Sequence, residues 1–327
     1  MPAWNTAKYI GEAIDSVTAQ TFPDWELIIV DDCSTDSTAG IANERAAADE
    51  RIRVEQTSCQ SGGAYVPRLQ GVMSARAELI VCVDSDDTIA PDYLAALMQR
   101  REHTGADIVQ SRLVMMPDSD VTVPPANFDI AKVYSGKKAL EAAYAQMALN
   151  SAGQLMTRLI YTDALQRFRD DYRDIYADEL LSLKILACAG RVAIADVNYN
   201  YRQHSESVTH RFSFRQFGHL IVAQHVRRHF SAMIDGEALE YTNYVTLLSA
   251  TISYLRRGGE LLPEERSEAL SLMRSSWQSI NWRKISGFSA LKRGLLGTNF
   301  QAFVMLIRAY LMARRLLGVT LNVKIKF

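Results

Sequence analysis

Residues 78–87 read ELIVCVDSDD, an apolar run that ends abruptly in three carboxylates, Asp84, Asp86 and Asp87. Residues 26–36, ELIIVDDCSTD, repeat the arrangement with Asp31 and Asp32. Short, continuously apolar runs bounded by turn residues are the pattern of strands buried on both faces. Helical patterns lie around them. In TAKYIGEAIDSVTAQ (6–20), Ile10, Ala13, Ile14 and Val17 share one helical face, with Asn5 or Thr6 available as N-cap. STAGIANERAAAD (37–49) reads as a second helix and RIRVEQ (51–56) as a strand. SGGAYVPRLQGVMSA (61–75) reads as a Gly-containing loop and short helix. Strands alternating with helices predict a parallel sheet covered on both faces. Ligands of such sheets bind beyond the carboxyl ends of the strands, where both acidic clusters fall.

The rhythm continues through a helix and strand in PDYLAALMQRREHTGADIVQSRLVMM (91–116), then loosens. Residues from about 117 to 135, with Pro117, Pro124 and Pro125, read as a loop excursion. KKALEAAYAQM (137–147) and ADELLSLKILACAG (177–190) read as helices, and RVAIADVNYNYRQH (191–204) as a strand. From Phe212 onward the pattern is almost wholly helical.

Composition sets the bounds. The chain has 327 residues, 48% hydrophobic, with 36 basic and 37 acidic side chains, so it is globular and large enough for one large or two smaller domains. The near-zero net charge gives no footprint for nucleic acid. Cys33, Cys59, Cys82 and Cys188 form no CxxC pair, which points away from a zinc site or a disulfide framework and towards a reducing compartment. No apolar run approaches the roughly 20 residues of a membrane span, and no signal peptide precedes the first helix. These features predict a cytoplasmic protein.

Clustered carboxylates at a rigid strand end suit a hard divalent cation such as Mg²⁺ or Mn²⁺, which cancels their mutual repulsion. A solvated acidic loop capping the helix near Pro91 would read the same way. VDSDDT (83–88) also resembles the DxDxT motif of haloacid-dehalogenase-like phosphatases, but there the motif ends the first strand of the core. Here a full βαβαβ unit precedes it.

The opening stretch MPAWNTAKYIGEAIDSVTAQTFPDWELIIVDDCSTDSTAGIA (1–42) resembles that of family 2 glycosyltransferases, with their P-x-Y-N loop and strand ending V-D-D-G-S-T-D. GGAYVPRLQG (62–71), ELIVCVDSDD, YADELLSLKIL (176–186) and YNYRQHSESVT (199–209) are similar, in order, to four further phrases of that family. The resemblance covers about residues 1 to 210. It implies a GT-A fold, a Rossmann-like, mixed and mainly parallel sheet flanked by helices, followed here by a helical extension. Residues 1–112 would form the nucleotide-sugar-binding half, 113–210 the acceptor-binding half of the same domain, and 211–327 a helical C-terminal region.

The activity implied is transfer of a sugar, with inversion, from a nucleotide-sugar, by family frequency a UDP-sugar, to a saccharide or lipid-linked acceptor. Pro2 and Trp4 of the first loop, Asp32, Arg68, Asp84 and Ser85 would bind the nucleotide-sugar. Asp86, Asp84 and His204 would hold Mn²⁺ or Mg²⁺. Glu179 or Asp178 would be the general base.

Several residues depart from the family pattern. Cys33 stands for Gly in a turn that favours φ > 0. Pro67 and Leu69 replace Ala and Asn. Ala177-Asp178-Glu179 inverts the usual Gly-Glu-Asp. The apolar first strand is absent before Met1-Pro2, as though the chain were the later part of a longer protein. These departures keep a catalytically impaired sugar-nucleotide-binding protein open as an alternative, with the phosphatase ranked lower. Finally, WRKISGFSALKRGLLG (282–297) and the segment that follows mix apolar residues with Arg308, Arg314, Arg315, Lys324 and Lys326. Such a segment can contact an anionic membrane peripherally or simply pack on its own domain.

Overall fold

The computed structural model describes residues 1–116, 122–123, 129–146, 153–168, 177–203, 212–285 and 289–316. They divide into one unit of residues 1–143 with 148–205 and another of 144–147 with 206–327.

The first unit opens with β1 (Pro2–Ala3), α1 (Ile10–Thr18), β2 (Leu27–Asp31), α2 (Thr38–Ala48), β3 (Ile52–Gln56), α3 (Tyr65–Ser74) and β4 (Leu79–Val81). This is the predicted alternation. Every residue of β2 is buried, and α1 buries Ile10, Ala13, Ile14 and Val17, the face that their spacing marks. The N-cap of α1 is Tyr9 rather than Asn5 or Thr6. The earlier residues make a turn instead, in which Thr6 O accepts from the N–H of Tyr9 and Ile10 and Asn5 sits at φ 49°.

There follow β5 (Thr88–Ile89), α4 (Tyr93–Thr104), β6 (Ile108–Met116), β7 (Thr122–Val123), β8 (Val133–Ser135), α5 (Gly136–Gln146), β9 (Gln154–Thr157), α6 (Arg158–Arg167), α7 (Ala177–Cys188) and β10 (Arg191–Arg202). The strands form two sheets. One is wholly parallel, in the order β1-β2-β3; the other runs β4-β9-β6-β10-β5 with β7 on β6 and β8 on β10. Only the β6–β10 pair of the second sheet is parallel.

The alternation predicts β4 beside the first three strands, yet it pairs antiparallel with β9, Ile80 opposite Met156. Among the described residues no ladder joins β1 to β4. The first strand, expected to be truncated, is a two-residue β1 whose bonds go to β2. Met1 N donates to Ile28 O, Val30 N to Met1 O, and Asp32 N to Ala3 O. Hydrophobic burial spans the gap between the sheets, since one core cluster contains Ile14, Ile29, Val83, Leu97, Val109 and Tyr199.

The second unit is built from α8 (Gly218–Phe230), α9 (Gly236–Arg257), α10 (Pro263–Ser279), α11 (Ala290–Gly297) and α12 (Phe300–Leu316). Among the described residues from 212 onward there is no strand, as the pattern predicts. Helix starts follow local chemistry. Asp235 caps α9 through the N–H groups of Glu237 and Ala238, and Pro263 opens α10, where its missing N–H costs nothing. The core holds Phe217, Leu220, Leu247, Met273 and Phe303. Among the described residues no helix is long and apolar enough to cross a membrane.

Candidate functional site

The acids after β2 are both buried but differ in use. Asp31 accepts from Ser34 N–H and from Gln56 Nε2 at 3.1 Å, which holds the turn. Cys33 occupies that turn at φ 58°, so it keeps the left-handed backbone for which glycine is the easier residue. Asp32 accepts from Thr57 Oγ1 at 2.8 Å, Ser61 N–H at 3.0 Å and Ser61 Oγ at 2.9 Å. Its carboxylate is therefore covered by the loop before α3.

The first loop ties this turn to the second acidic cluster. Asn5 exchanges hydrogen bonds with Ser34 and Thr35, and Thr6 Oγ1 lies 3.0 Å from Ser85 Oγ. Trp4 stands exposed between these contacts, and Pro2 is buried in β1.

Within DSDD the acids separate by environment. Asp84 and Asp86 are half-buried, whereas Ser85 and Asp87 are buried. Asp87 points back at β10, accepting from Tyr199 Oη at 2.8 Å and from Arg202 N–H at 2.8 Å. Tyr199 Oη in turn accepts from Asp84 N–H at 3.0 Å. Arg202 donates to Asp86 O and to Glu12, which clamps the turn between β10 and α1. Burial first, then the charges of Asp84 and Asp86, pushes the Asp87 carboxyl up to about 8. Tyr199 is raised too, chiefly by burial. Gly153 completes the back wall at φ 76°, where a Cβ would lie 2.7 Å from Tyr93 Oη, so no larger residue fits.

Arg68, on α3, is almost fully buried and donates to Asp84 Oδ1 at 2.7 Å. Its guanidinium is thus engaged by a carboxylate of the acidic cluster. Glu179 is half-buried in the first turn of α7. The side chain of Asp178 and the whole of His204 lie outside the described residues. The structure thus brings Asp32, Arg68, Asp84, Ser85 and Asp86 together around the first loop. Sequence reasoning missed Ser61, Tyr199 and Arg202. The last two sit inside the YNYRQH phrase, whereas a loop serine has no periodicity to give it away.

Among the described residues no three His, Cys, Asp or Glu side chains cluster closely enough to hold a metal by themselves. Two half-buried carboxylates with hard oxygens fit Mg²⁺ or Mn²⁺ when phosphate oxygens complete the shell. The Arg68 pair engages Oδ1 of Asp84 and not Oδ2.

Comparison with known proteins bears on the family and the fold. The sequence model described as Glycosyl transferase family 2 matches residues 1–165. Glycosyltransferase GlyG of Streptococcus pneumoniae is 33% identical over 120 residues, 37% of this chain and 40% of that protein. The chain spans less than two thirds of the length of the curated relatives that it matches first. In structure it is similar to S. aureus TarS 1–349 solved with UDP-GlcNAc, with TM-score 0.74 and 19% identity over 98% of this chain and 91% of that one. A mannosyltransferase of Pyrobaculum calidifontis, solved with GDP-Man and Mn²⁺, gives TM-score 0.51 and 18% identity over 96% and 84%. At these identities the likeness establishes the fold, which is GT-A.

Proposed function

The chain belongs to glycosyl transferase family 2, and on that premise we propose that it moves a sugar from a nucleotide-sugar to a saccharide or lipid-linked acceptor of a surface polymer. Transfer proceeds with inversion, assisted by Mn²⁺ or Mg²⁺. One observation carries the reading: Asn5 is hydrogen-bonded to the turn after β2 and Thr6 to Ser85 of DSDD. A ligand over this loop meets the exposed Trp4 ring, Asp32 and the Asp84–Asp86 pair.

In this reading residues 1–112 form the donor half, 113–210 the acceptor half and 211–327 a helical extension. Trp4 offers a ring face to the nucleobase, beside Pro2. Asp32 accepts a base N–H such as that of uracil once Ser61 withdraws. The TarS structure solved with UDP-GlcNAc supports a UDP-sugar donor. Asp84 and Asp86 would hold the ion, with His204 as a candidate third ligand, and a bound ion neutralises charge on the departing diphosphate. Arg68 fixes the orientation of Asp84. Inversion needs a base on the far side of the sugar to take the proton of the attacking hydroxyl, a role for Glu179 or Asp178. Peripheral membrane contact through α12 is part of the proposal, supported by its exposed Met305, Tyr310 and Met312 beside Arg308.

Calorimetric titration of UDP with Mn²⁺, without it, and into Asp86→Ala tests the donor site. Binding that needs both metal and Asp86, followed by transfer from UDP-sugars, is the expected result. Metal-dependent binding without transfer or donor hydrolysis would assign the impaired binding protein instead, and phosphate release from simple phosphomonoesters the phosphatase.

A further inference from the structure

The second unit carries a groove for which the donor chemistry has no use. It consists of two adjoining cavities that share Gln278 and Thr298 in their walls, one of about 320 Å³ and the other of about 650 Å³. Arg274, Trp277 and Phe300 bound the first; Trp282, Arg283 and Arg293 bound the second.

The aromatic surfaces are fixed in place. Trp277 and Trp282 are half-buried, with ring centroids 6.4 Å apart. Trp277 Nε1–H donates to Leu296 O at 2.8 Å. Trp282 is wedged against Tyr244 and Phe303, and a Cβ on Gly297 would lie 3.0 Å from its ring. Rings held in this way present a face at little entropic cost.

The charge is one-sided. From Ala269 to Phe327 the sequence contains ten Lys and Arg and no Asp or Glu, in a chain whose net charge is −1. Arg274 lies over the Phe300 ring, 5.4 Å from its centroid. Among the described residues none of Arg274, Arg283 and Arg293 forms an ion pair. The Glu240 carboxylate does reach the lining, accepting Asn281 N–H, but Arg227 already holds both of its oxygens. The groove is therefore cationic.

Flat aromatic faces bordered by amide and hydroxyl side chains, here Gln278, Asn281, Thr298 and Asn299, suit the alternating C–H and O–H surface of a sugar. Unpaired guanidinium groups suit carboxylate or phosphate. The three arginines on the walls favour an anionic ligand over an uncharged acyl chain, and the two indoles, inclined at 48°, make a poor platform for successive stacked bases.

We propose that this groove binds an anionic saccharide chain, the acceptor polymer of the reaction proposed above. The identification as acceptor rests on that reading. A second attachment of this kind raises the acceptor's local concentration without touching the donor.

The test uses the full chain and titration of an oligogalacturonate, a phosphorylated dextran and neutral dextran. The charged saccharides should bind and shift tryptophan fluorescence, with neutral dextran at least about tenfold weaker. The double variant Arg283→Ala/Arg293→Ala should weaken the charged saccharides about tenfold, as should Trp282→Ala. Asp86→Ala should bind them as the wild type does, which separates this groove from the donor site. Because Trp282→Ala also removes packing against Tyr244 and Phe303, the arginine pair decides the matter. Saccharide affinity unchanged in the arginine double variant would overturn the proposal. So would binding of phosphatidylglycerol vesicles or oligothymidylate, in place of saccharide, that the double variant abolishes. Saccharide binding by a wild type that binds no UDP would overturn the acceptor assignment while leaving the groove a saccharide site.

Discussion

Among the described residues, each unit holds an arginine–carboxylate pair with one buried partner, and the two are built differently. In the second unit Glu240 is the buried partner, held by Arg227 at 2.9 and 2.6 Å and bonded again by Asn281 N–H. Its charge is closed off. In the first unit the guanidinium of Arg68 is the buried partner, and it engages Asp84 through one oxygen at 2.7 Å. Asp86 adds a second half-buried carboxylate to the same turn, while Asp87, its carboxyl pushed up to about 8, keeps its proton near neutral pH. A saturated pair holds a fold together, whereas in the proposed donor site the half-buried Asp84 and Asp86 would take a cation. Burial alone does not tell them apart, since the net worth of a buried pair depends on how fully both partners are satisfied.

The largest effect expected from breaking this contrast is on stability. Glu240→Ala leaves Arg227 and Asn281 N–H without their acceptor and should cost about 3 kcal/mol. Urea unfolding followed through Trp277 and Trp282 would measure it, with UDP affinity unchanged. The mirror experiment is Asp86→Ala, which should cost about a hundredfold in metal-dependent UDP affinity, some 2.7 kcal/mol, while the melting temperature holds or rises as like charge is removed. A large loss of stability there would erase the distinction.

A change that is smaller for each pH unit should appear with pH. The folded-state value of Asp87, about 8, stands above its ordinary 3.8, so across that window the native chain keeps a proton that the unfolded chain has released. Stability should therefore fall as pH rises through the window, by on the order of 1 kcal/mol per unit, and level off above it. Asp87→Asn should flatten the slope. Smallest of all, Cys33→Gly relieves a left-handed cysteine at the loss of a weak Sγ contact to Thr57 O and should stabilise the first unit by about 0.5 kcal/mol in the same urea assay.

Much of this was legible in the sequence. Period and polarity located α1, β2 and β4, and the wholly helical character of the described residues after 212, because burial writes itself into spacing. The acidic strand ends announced a site for the same reason: charge beside a core is costly unless it is used. The pairing of β4 with β9 was not legible, since partner choice depends on residues more than seventy positions apart and leaves no local trace. Nor was the direction of Arg68. A motif places a guanidinium near a site, but only packing decides that it pairs with Asp84. The Arg227–Glu240 pair was equally silent, two charges in helices whose patterns give no hint that they meet.

The cover that Ser61 places on Asp32 has a kinetic side. In the proposed donor site, a nucleobase arriving at that carboxylate would have to take the place of an N–H and a hydroxyl already bonded there. Capture would then be an exchange of partners, nearly even in hydrogen bonds, and its pace would be set by how often the stretch around Gly62 and Gly63 swings aside. In stopped-flow mixing the observed association rate should then climb with nucleotide concentration only to a plateau, and that plateau would be the opening frequency of the loop.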